Sequence, residues 1–250
     1  MDLGLHGKVA LVAGGSSGLG FAIAAGLLTE GARVSIAARD PERLDDAVRR
    51  LSEFGEVHGQ PVDVMDESAV NRWVDTVAER FGAIHVVVAN AGGPPPGMAT
   101  EFDLDAYRQA MELNLLSSIG LVQRALPHLK AAGWGRILFV TSSSVRQPIP
   151  NLALSNTARA GVVGYAKSLV AALGAGEITV NVLAPGRIRT PRLTQLPGFD
   201  ETALAAEIPL GRIADPREFA TVAVFLASTS ASYVTGAVVP VDGGFTRSLL

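Results

Sequence analysis

Lys8-Val9-Ala10-Leu11-Val12-Ala13-Gly14-Gly15-Ser16-Ser17-Gly18-Leu19-Gly20 reads as a strand that runs straight into a glycine-rich turn and on into a helix. The residues from Val9 to Ala13 are all apolar with no alternation, which marks a strand covered on both faces, as in a parallel sheet. Glycines in the turn admit positive φ and let backbone N–H groups approach a phosphate closely, and a helix N-terminus adds partial positive charge. A glycine-rich turn alone is a weak signal. The order strand, turn, helix strengthens it.

The same rhythm continues outward. Short β-rich runs, most of them continuous Val/Ile/Leu/Ala, are expected as strands at 8–13, 33–37, 57–62, 85–89, 136–141, 179–183 and 238–241. Amphipathic stretches are expected as helices at 18–29, 41–53, 67–80, 104–131, 152–173 and 216–228. Asp40-Pro41 and Asp215-Pro216 each place a capping oxygen ahead of a first-turn proline. This alternation predicts an α/β protein, a doubly wound parallel sheet of about seven strands with helices on both faces. No linker, repeat or low-complexity tract divides the chain, so residues 1–250 are expected as a single domain. The segment 185–212 has no strong period and is expected to lie over the strand ends as a substrate lid. Its apolar face would comprise Leu193, Leu196, Phe199, Leu204 and Ile208.

Composition excludes several function classes. The chain is 48% apolar and 18% charged with net charge −3, which describes a folded protein without the basic footprint of a nucleic-acid or anionic-membrane binder. No apolar run reaches the ~18 residues of a membrane span, and the N-terminus does not read as a signal peptide. The absence of cysteine rules out thiol catalysis and fits a cytoplasmic, reducing location. His6, His58, His85 and His128 are scattered, so no metal site is expected. Lys supplies only 3 of the 21 basic residues, a bias toward Arg that bears on the site below.

The spacing Gly14-x-x-x-Gly18-x-Gly20, with Asn90-Ala91-Gly92 closing the fourth strand, resembles the short-chain dehydrogenase/reductase family, in the manner of its 3-oxoacyl-carrier-protein reductases. The resemblance covers essentially the whole chain. It includes Asp63-Val64 after the third strand, Asn114 in the 104–131 helix and Ser142 after the fifth strand. It continues through Pro185-Gly186-Arg187-Ile188-Arg189-Thr190 and ends with Thr235-Gly236 and Val241-Asp242-Gly243-Gly244. It implies a Rossmann fold, a nicotinamide cofactor, a small-molecule substrate and a homo-oligomer, commonly a tetramer paired through the helices at 104–131 and 152–173. By the same resemblance Gly14, Ser16, Ser17, Gly18, Leu19 and Gly20 cradle the pyrophosphate, and Asp63 and Val64 flank the adenine. Asn90, Ala91 and Gly92 line the nucleoside side. Ile188 and Thr190 hold the nicotinamide amide and a nearby phosphate, with Pro185 and Gly186 in the same cofactor-binding turn. Ala13 departs from the pattern, where a Thr usually ties the loop to a neighbouring strand.

Cofactor choice falls on the end of the second strand, Ala37-Ala38-Arg39-Asp40. An acid there accepts the ribose hydroxyls of NAD, whereas Arg pairs with the 2′-phosphate of NADP. The family's discriminating acid aligns with Ala38, and Asp40 precedes Pro41 as a helix cap. Arg39 therefore favours NADP, with NAD as the alternative.

At the catalytic positions the family pattern fails. It uses a Tyr hydroxyl as proton donor, a Lys four residues later that binds the ribose and lowers the Tyr pKa, an upstream Ser that orients the carbonyl, and a helix Asn. Here Arg159-Ala160-Gly161-Val162-Val163-Gly164 aligns with the stretch that begins at that Lys, so Ser155 stands in place of Tyr and Arg159 in place of Lys. Ser142 lies thirteen residues before Ser155, which fixes the register. An aliphatic hydroxyl is a far weaker acid than a phenol, and Ser ends roughly 4 Å short of where the Tyr oxygen sits. Tyr165 points about 280° around the helix from Ser155, Tyr107 shares the face of Asn114 but reads as a core aromatic, and Tyr233 is expected to pack. A water or a substrate hydroxyl held by Ser142 and Ser155 is the better proton source.

Three readings stay open from the sequence. The first is an NADP-preferring oxidoreductase acting on an apolar carbonyl or alcohol through Asn114, Ser142, Ser155 and Arg159. The second is a cofactor-binding protein without turnover, and the third a non-redox isomerase or dehydratase. Gly93-Pro94-Pro95-Pro96-Gly97 reads as a stiff rim over the cofactor. Arg146, Arg187, Arg189 and Arg192 are expected near the substrate mouth, where they could bind a carboxylate or the phosphate of a carrier-linked thioester or, more simply, stand as solvated charges.

Overall fold

The computed structural model describes residues 2–195 and 198–249. Its first half comprises β1 (Val9–Ala13), α1 (Gly18–Thr29), β2 (Arg33–Ala38), α2 (Pro41–Leu51), β3 (Val57–Pro61), α3 (Glu67–Phe81) and β4 (Val86–Ala89). The second half begins with α4 (Leu104–Met111), a π turn at Glu112–Leu116, α5 (Ser117–Ala131), β5 (Gly135–Val140) and α6 (Ala153–Leu173). It ends with β6 (Ile178–Pro185), the short helices α7 (Pro191–Thr194) and α8 (Glu201–Ala206), then α9 (Pro216–Ala227) and β7 (Val238–Val241). Among the described residues seven strands form one parallel sheet in the order β3-β2-β1-β4-β5-β6-β7.

Every residue of β1 is buried, because side chains on its two faces enter two separate cores. Ala10 and Val12 pack with Ile23, Leu27 and Phe219 on one side. Val9, Leu11 and Ala13 pack with Trp73, Val122 and Phe139 on the other. Each large side chain buried this way contributes roughly 1.5–3 kcal/mol. Aspartates cap the helices as the sequence suggested. The Asp40 carboxylate accepts from the Glu42 and Arg43 N–H groups, and Asp215 forms a capping box with Glu218. Ala10 pairs with both Val34 of β2 and Val86 of β4, so β1 is where the chain reverses its winding direction. A crevice opens there, beyond the carboxyl ends of β1 and β4.

Three expectations are corrected. The helix expected over 104–131 is two helices joined by the π turn, because the Ser117 and Ser118 hydroxyls donate to Leu113 O (2.5 Å) and Asn114 O (2.8 Å) and support the widened turn. β6 runs on to Pro185, since it pairs with β5 on one side and β7 on the other. Tyr233 does not pack. It is fully exposed, and its neighbour Val234 takes the inward position.

The 185–212 segment folds into α7, α8 and connecting turns. Leu193 and Ile208 are buried there with Ile213, and Phe199, Leu204 and Phe245 pack around them as a small separate core. Leu196 of the expected lid face lies outside the described residues.

Candidate active site

The crevice is a cavity of about 750 Å³ that runs from the end of β2 to the start of α6. The glycine turn forms its floor, with Gly14, Ser16, Ser17, Gly18 and Leu19 in the lining. Gly14 adopts φ +62°. Gly20 lies just behind, where an added Cβ would strike Gly14 O, so the tight turn requires glycine there. The Ser17 side chain makes no capping bond to α1, which leaves the first-turn N–H groups of that helix open toward the cavity. Asn90 Nδ2 donates to Ala13 O at 3.1 Å and Gly14 O at 3.5 Å. A side-chain tie from β4 thus reaches the loop despite Ala13.

One end of the cavity is built at the end of β2. Ala38, Arg39, Asp40 and Arg43 line it, facing Val62 and Val64. Asp40 is engaged as the α2 cap and in an ion pair with Arg43 at 3.3 Å. Arg39 is exposed and makes no hydrogen bond or ion pair among the described residues. Asp63 is exposed and outside the lining, its carboxylate accepting from the Met65 N–H at 3.1 Å.

The other end gathers Ser142, Ser155 and Arg159 with Asn90, Ala91 and Gly92, and with Pro185, Gly186, Ile188 and Thr190. Ser142 follows β5, and its Oγ accepts from the Ser144 N–H at 3.1 Å, so its own proton stays available to a ligand. Ser155 sits buried in the first turn of α6. Arg159, one turn on, is also buried. Its Nη1 donates to Val140 O at 3.0 Å, and its Nη2 reaches Ala91 O and Gly92 O, both at 3.4 Å. Burial lowers the Arg159 guanidinium to about 10, with nearby Arg192 acting in the same direction, so it remains a cation at neutral pH. Asn114 stands behind the lining. Its Nδ2 donates to Gly92 O at 2.6 Å, and its buried Oδ1 has no partner among the described residues.

No Tyr, His or Lys stands among the described lining residues. Tyr107 packs edge-on against Phe102, and Tyr165 against Phe139. Of the loop arginines, Arg187 and Arg192 line the cavity, whereas Arg189 is turned to an ion pair with Glu201 and Arg146 is outside the lining. Sequence reading missed Arg43, although its place one turn after the Asp40 cap was a usable signal. It also missed the wall from Ile149 to Leu152, and the link from Arg192 across to Gly93 O and Pro94 O at 3.0 and 2.9 Å.

A family model described as enoyl-(acyl carrier protein) reductase matches residues 13–246. The chain belongs to the short-chain dehydrogenase/reductase family. It is 38% identical to a cis-4-hydroxycyclohexanecarboxylate dehydrogenase of Sinomonas cyclohexanicum, over 96% of each chain. It is 35% identical to a rhamnolipids biosynthesis 3-oxoacyl-[acyl-carrier-protein] reductase of Pseudomonas aeruginosa, over 96% of this chain and 97% of the relative. The L-sorbose reductase of Gluconobacter frateurii, solved in complex with NADPH and L-sorbose, superposes with a TM-score of 0.93 at 33% identity over the whole of both chains. By family the chain is an NAD(P)-dependent oxidoreductase. The residues present fit such a cofactor. The glycine turn is packed so tightly that a Cβ at Gly14 or Gly20 would strike Asn90 or Gly14, which keeps bare backbone at the cavity floor. The helix α1 starts without a side-chain cap, and Arg39 is an exposed cation with no hydrogen bond or ion pair among the described residues.

Proposed function

We propose that this protein is an NADP(H)-preferring oxidoreductase that interconverts an apolar carbonyl and its alcohol through a site without the usual Tyr acid. The observation that carries the reading is the cavity itself, with an unpaired Arg39 at one end and Ser142, Ser155 and Arg159 at the other. A bound nicotinamide would supply or accept the hydride, and Arg159 would hold its ribose hydroxyls. Ser142 donates its hydroxyl proton to the substrate oxygen as a hydrogen bond and orients it. Asn114 holds Gly92 O, the carbonyl that Arg159 also uses, and so keeps the turn after β4 in place. Ser155 positions a water or a substrate hydroxyl in the space a Tyr ring would fill, and that group exchanges the proton.

The likeness to L-sorbose reductase, which was solved in complex with NADPH, supports the cofactor preference. The apolar residues Ile149, Leu152 and Leu193 in the wall support an apolar substrate body. Residues 185–212 serve as the lid. Exposed Leu104 and Leu116 on the α4–α5 face support pairing into a homo-oligomer, and the cysteine-free composition supports a cytoplasmic site of action. The test is a fluorescence titration with NADPH and NADH followed by a broad carbonyl screen. Tighter NADPH binding with turnover of a carbonyl is expected. Cofactor binding without any turnover overturns the catalytic part.

That second outcome is the competing reading, a cofactor-binding protein without redox turnover, and the missing Tyr favours it. The double variant Ser155→Tyr, Arg159→Lys separates the two. Native activity is expected to fall in the double variant, because the present site is built around Ser and Arg. Activity that appears only in the double variant marks the native chain as catalytically retired.

A further inference from the structure

The cavity is electrically lopsided. Arg159, Arg187 and Arg192 line its reaction end, and Asp40, the only acid among the described lining residues, sits at the opposite end. Arg159 is 9% exposed, and its partners are three carbonyl oxygens, which accept hydrogen bonds without neutralising charge. Arg192 likewise donates to carbonyls alone. Arg187 makes a 3.4 Å contact with a half-exposed Glu207 and lies over the Phe245 ring, and its buried Nε has no hydrogen-bond partner among the described residues. Arginines just outside the cavity are treated differently. Arg189 pairs with Glu201, Arg212 with Glu218 and Arg217 with Asp215. At the reaction end, then, Arg159 and Arg192 have carbonyl partners alone and Arg187 a single long contact with a carboxylate, whereas Arg189, Arg212 and Arg217 outside the cavity are closely paired.

Buried or partly desolvated cations without counter-ions are costly and repel one another, as the lowering of Arg159 by Arg192 reflects. A ribose hydroxyl does not neutralise them, and the pyrophosphate belongs to the glycine turn at the cavity floor. The compensating charge must come from what occupies the rest of the cavity. A guanidinium favours a planar carboxylate, which accepts two parallel N–H bonds. We infer that the substrate of this protein is a carboxylate-bearing carbonyl or alcohol, its apolar body against Ile149, Leu152 and Leu193 and its carboxylate held by Arg187 and Arg192 in front of Arg159. The inference deepens the oxidoreductase reading above and rests on it for the carbonyl.

The test does not need turnover. The full-length protein, with and without NADP+, is titrated calorimetrically with 4-phenylbutyrate and with its uncharged analogue 4-phenylbutyramide. The carboxylate is expected to bind at least about tenfold more tightly, the scale of one charge-assisted hydrogen bond. Arg192→Gln and Arg187→Gln are each expected to erase most of that preference while leaving amide binding, NADPH binding and melting temperature unchanged. Equal binding of the two probes, or binding of neither, overturns the inference. So does an Arg192→Gln variant that loses NADPH affinity and keeps the carboxylate preference, which would assign the cations to the cofactor's phosphates. A protein that prefers the carboxylate yet turns over no carbonyl would overturn the oxidoreductase reading and leave the anion site standing.

Discussion

The two ends of the cavity differ in what they offer a ligand. At the β2 end the parts needed to bind a dinucleotide are present, with a glycine turn, an uncapped helix start and a free Arg39. At the α6 end Ser155 and Arg159 stand one turn apart on the helix, and no Tyr, His or Lys stands among the described lining residues. Binding depends on backbone shape and on charge, which many sequences can supply. Proton transfer depends on one atom of suitable acidity at one place. The two ends of the cavity thus draw on separate sets of residues.

Substitutions at each end test whether they are in fact separable. The largest effect is expected for Ser142→Ala, which removes the hydroxyl donor at the substrate oxygen. Turnover should fall about 10²–10³-fold with NADPH affinity unchanged, measured by steady-state kinetics beside a binding titration. Loss of cofactor affinity in that variant would break the separation. Next is Arg39→Ala, expected to weaken NADPH by about ten- to a hundredfold and to leave NADH binding and the chemical step as they were. A parallel loss of NADH affinity would mean that Arg39 supports the loop and does not read the phosphate.

The smallest effect lies at the opposite, amino-terminal ends of the strands and sets the pH window in which both cavity ends can be compared. Burial, with Lys8 and Arg33 nearby, lowers the His85 pKa to about 4, and its Nδ1 accepts the Val9 N–H at 3.1 Å. The unfolded chain takes up that proton first, near pH 6.5. Stability is therefore full above about 6.5 and is lost as pH falls toward 4. His85→Asn keeps an acceptor without the titration. Between pH 7 and 5 the wild-type melting temperature should drop by about 2–4 °C more than that of the variant. Equal slopes would place the acid sensitivity elsewhere.

Much of this was legible in the sequence for local reasons. Continuous apolar runs gave the strands, and Asp40-Pro41 and Asp215-Pro216 marked helix starts with caps that the structure contains. Counting back four places from Arg159 reaches Ser155, and the structure sets the two one turn apart in the cavity lining. What was not legible depends on contacts between distant positions. Glu112-Leu113-Asn114-Leu115-Leu116 has ordinary helix-forming composition, and only its place beside Gly92 and the hydroxyls of Ser117 and Ser118 shows why the helix widens there. Arg192 reads as one more loop charge until the fold brings it to Gly93 and Pro94, 99 and 98 positions earlier. The exposure of Tyr233 was invisible for the same reason, since either it or Val234 might by composition have faced inward.

The bonds of Arg159 carry a mechanical consequence. One guanidinium ties the end of β5, through Val140 O, to the turn after β4, through Ala91 O and Gly92 O, using two separate nitrogens. A lysine offers its donors from a single atom and cannot span the same carbonyls in the same way. Arg159→Lys would leave a buried carbonyl unserved, at a cost of about 1–3 kcal/mol. The guanidinium thus acts as a brace across the crevice wall, and a change at this position alters the shape of the cavity as well as its charge.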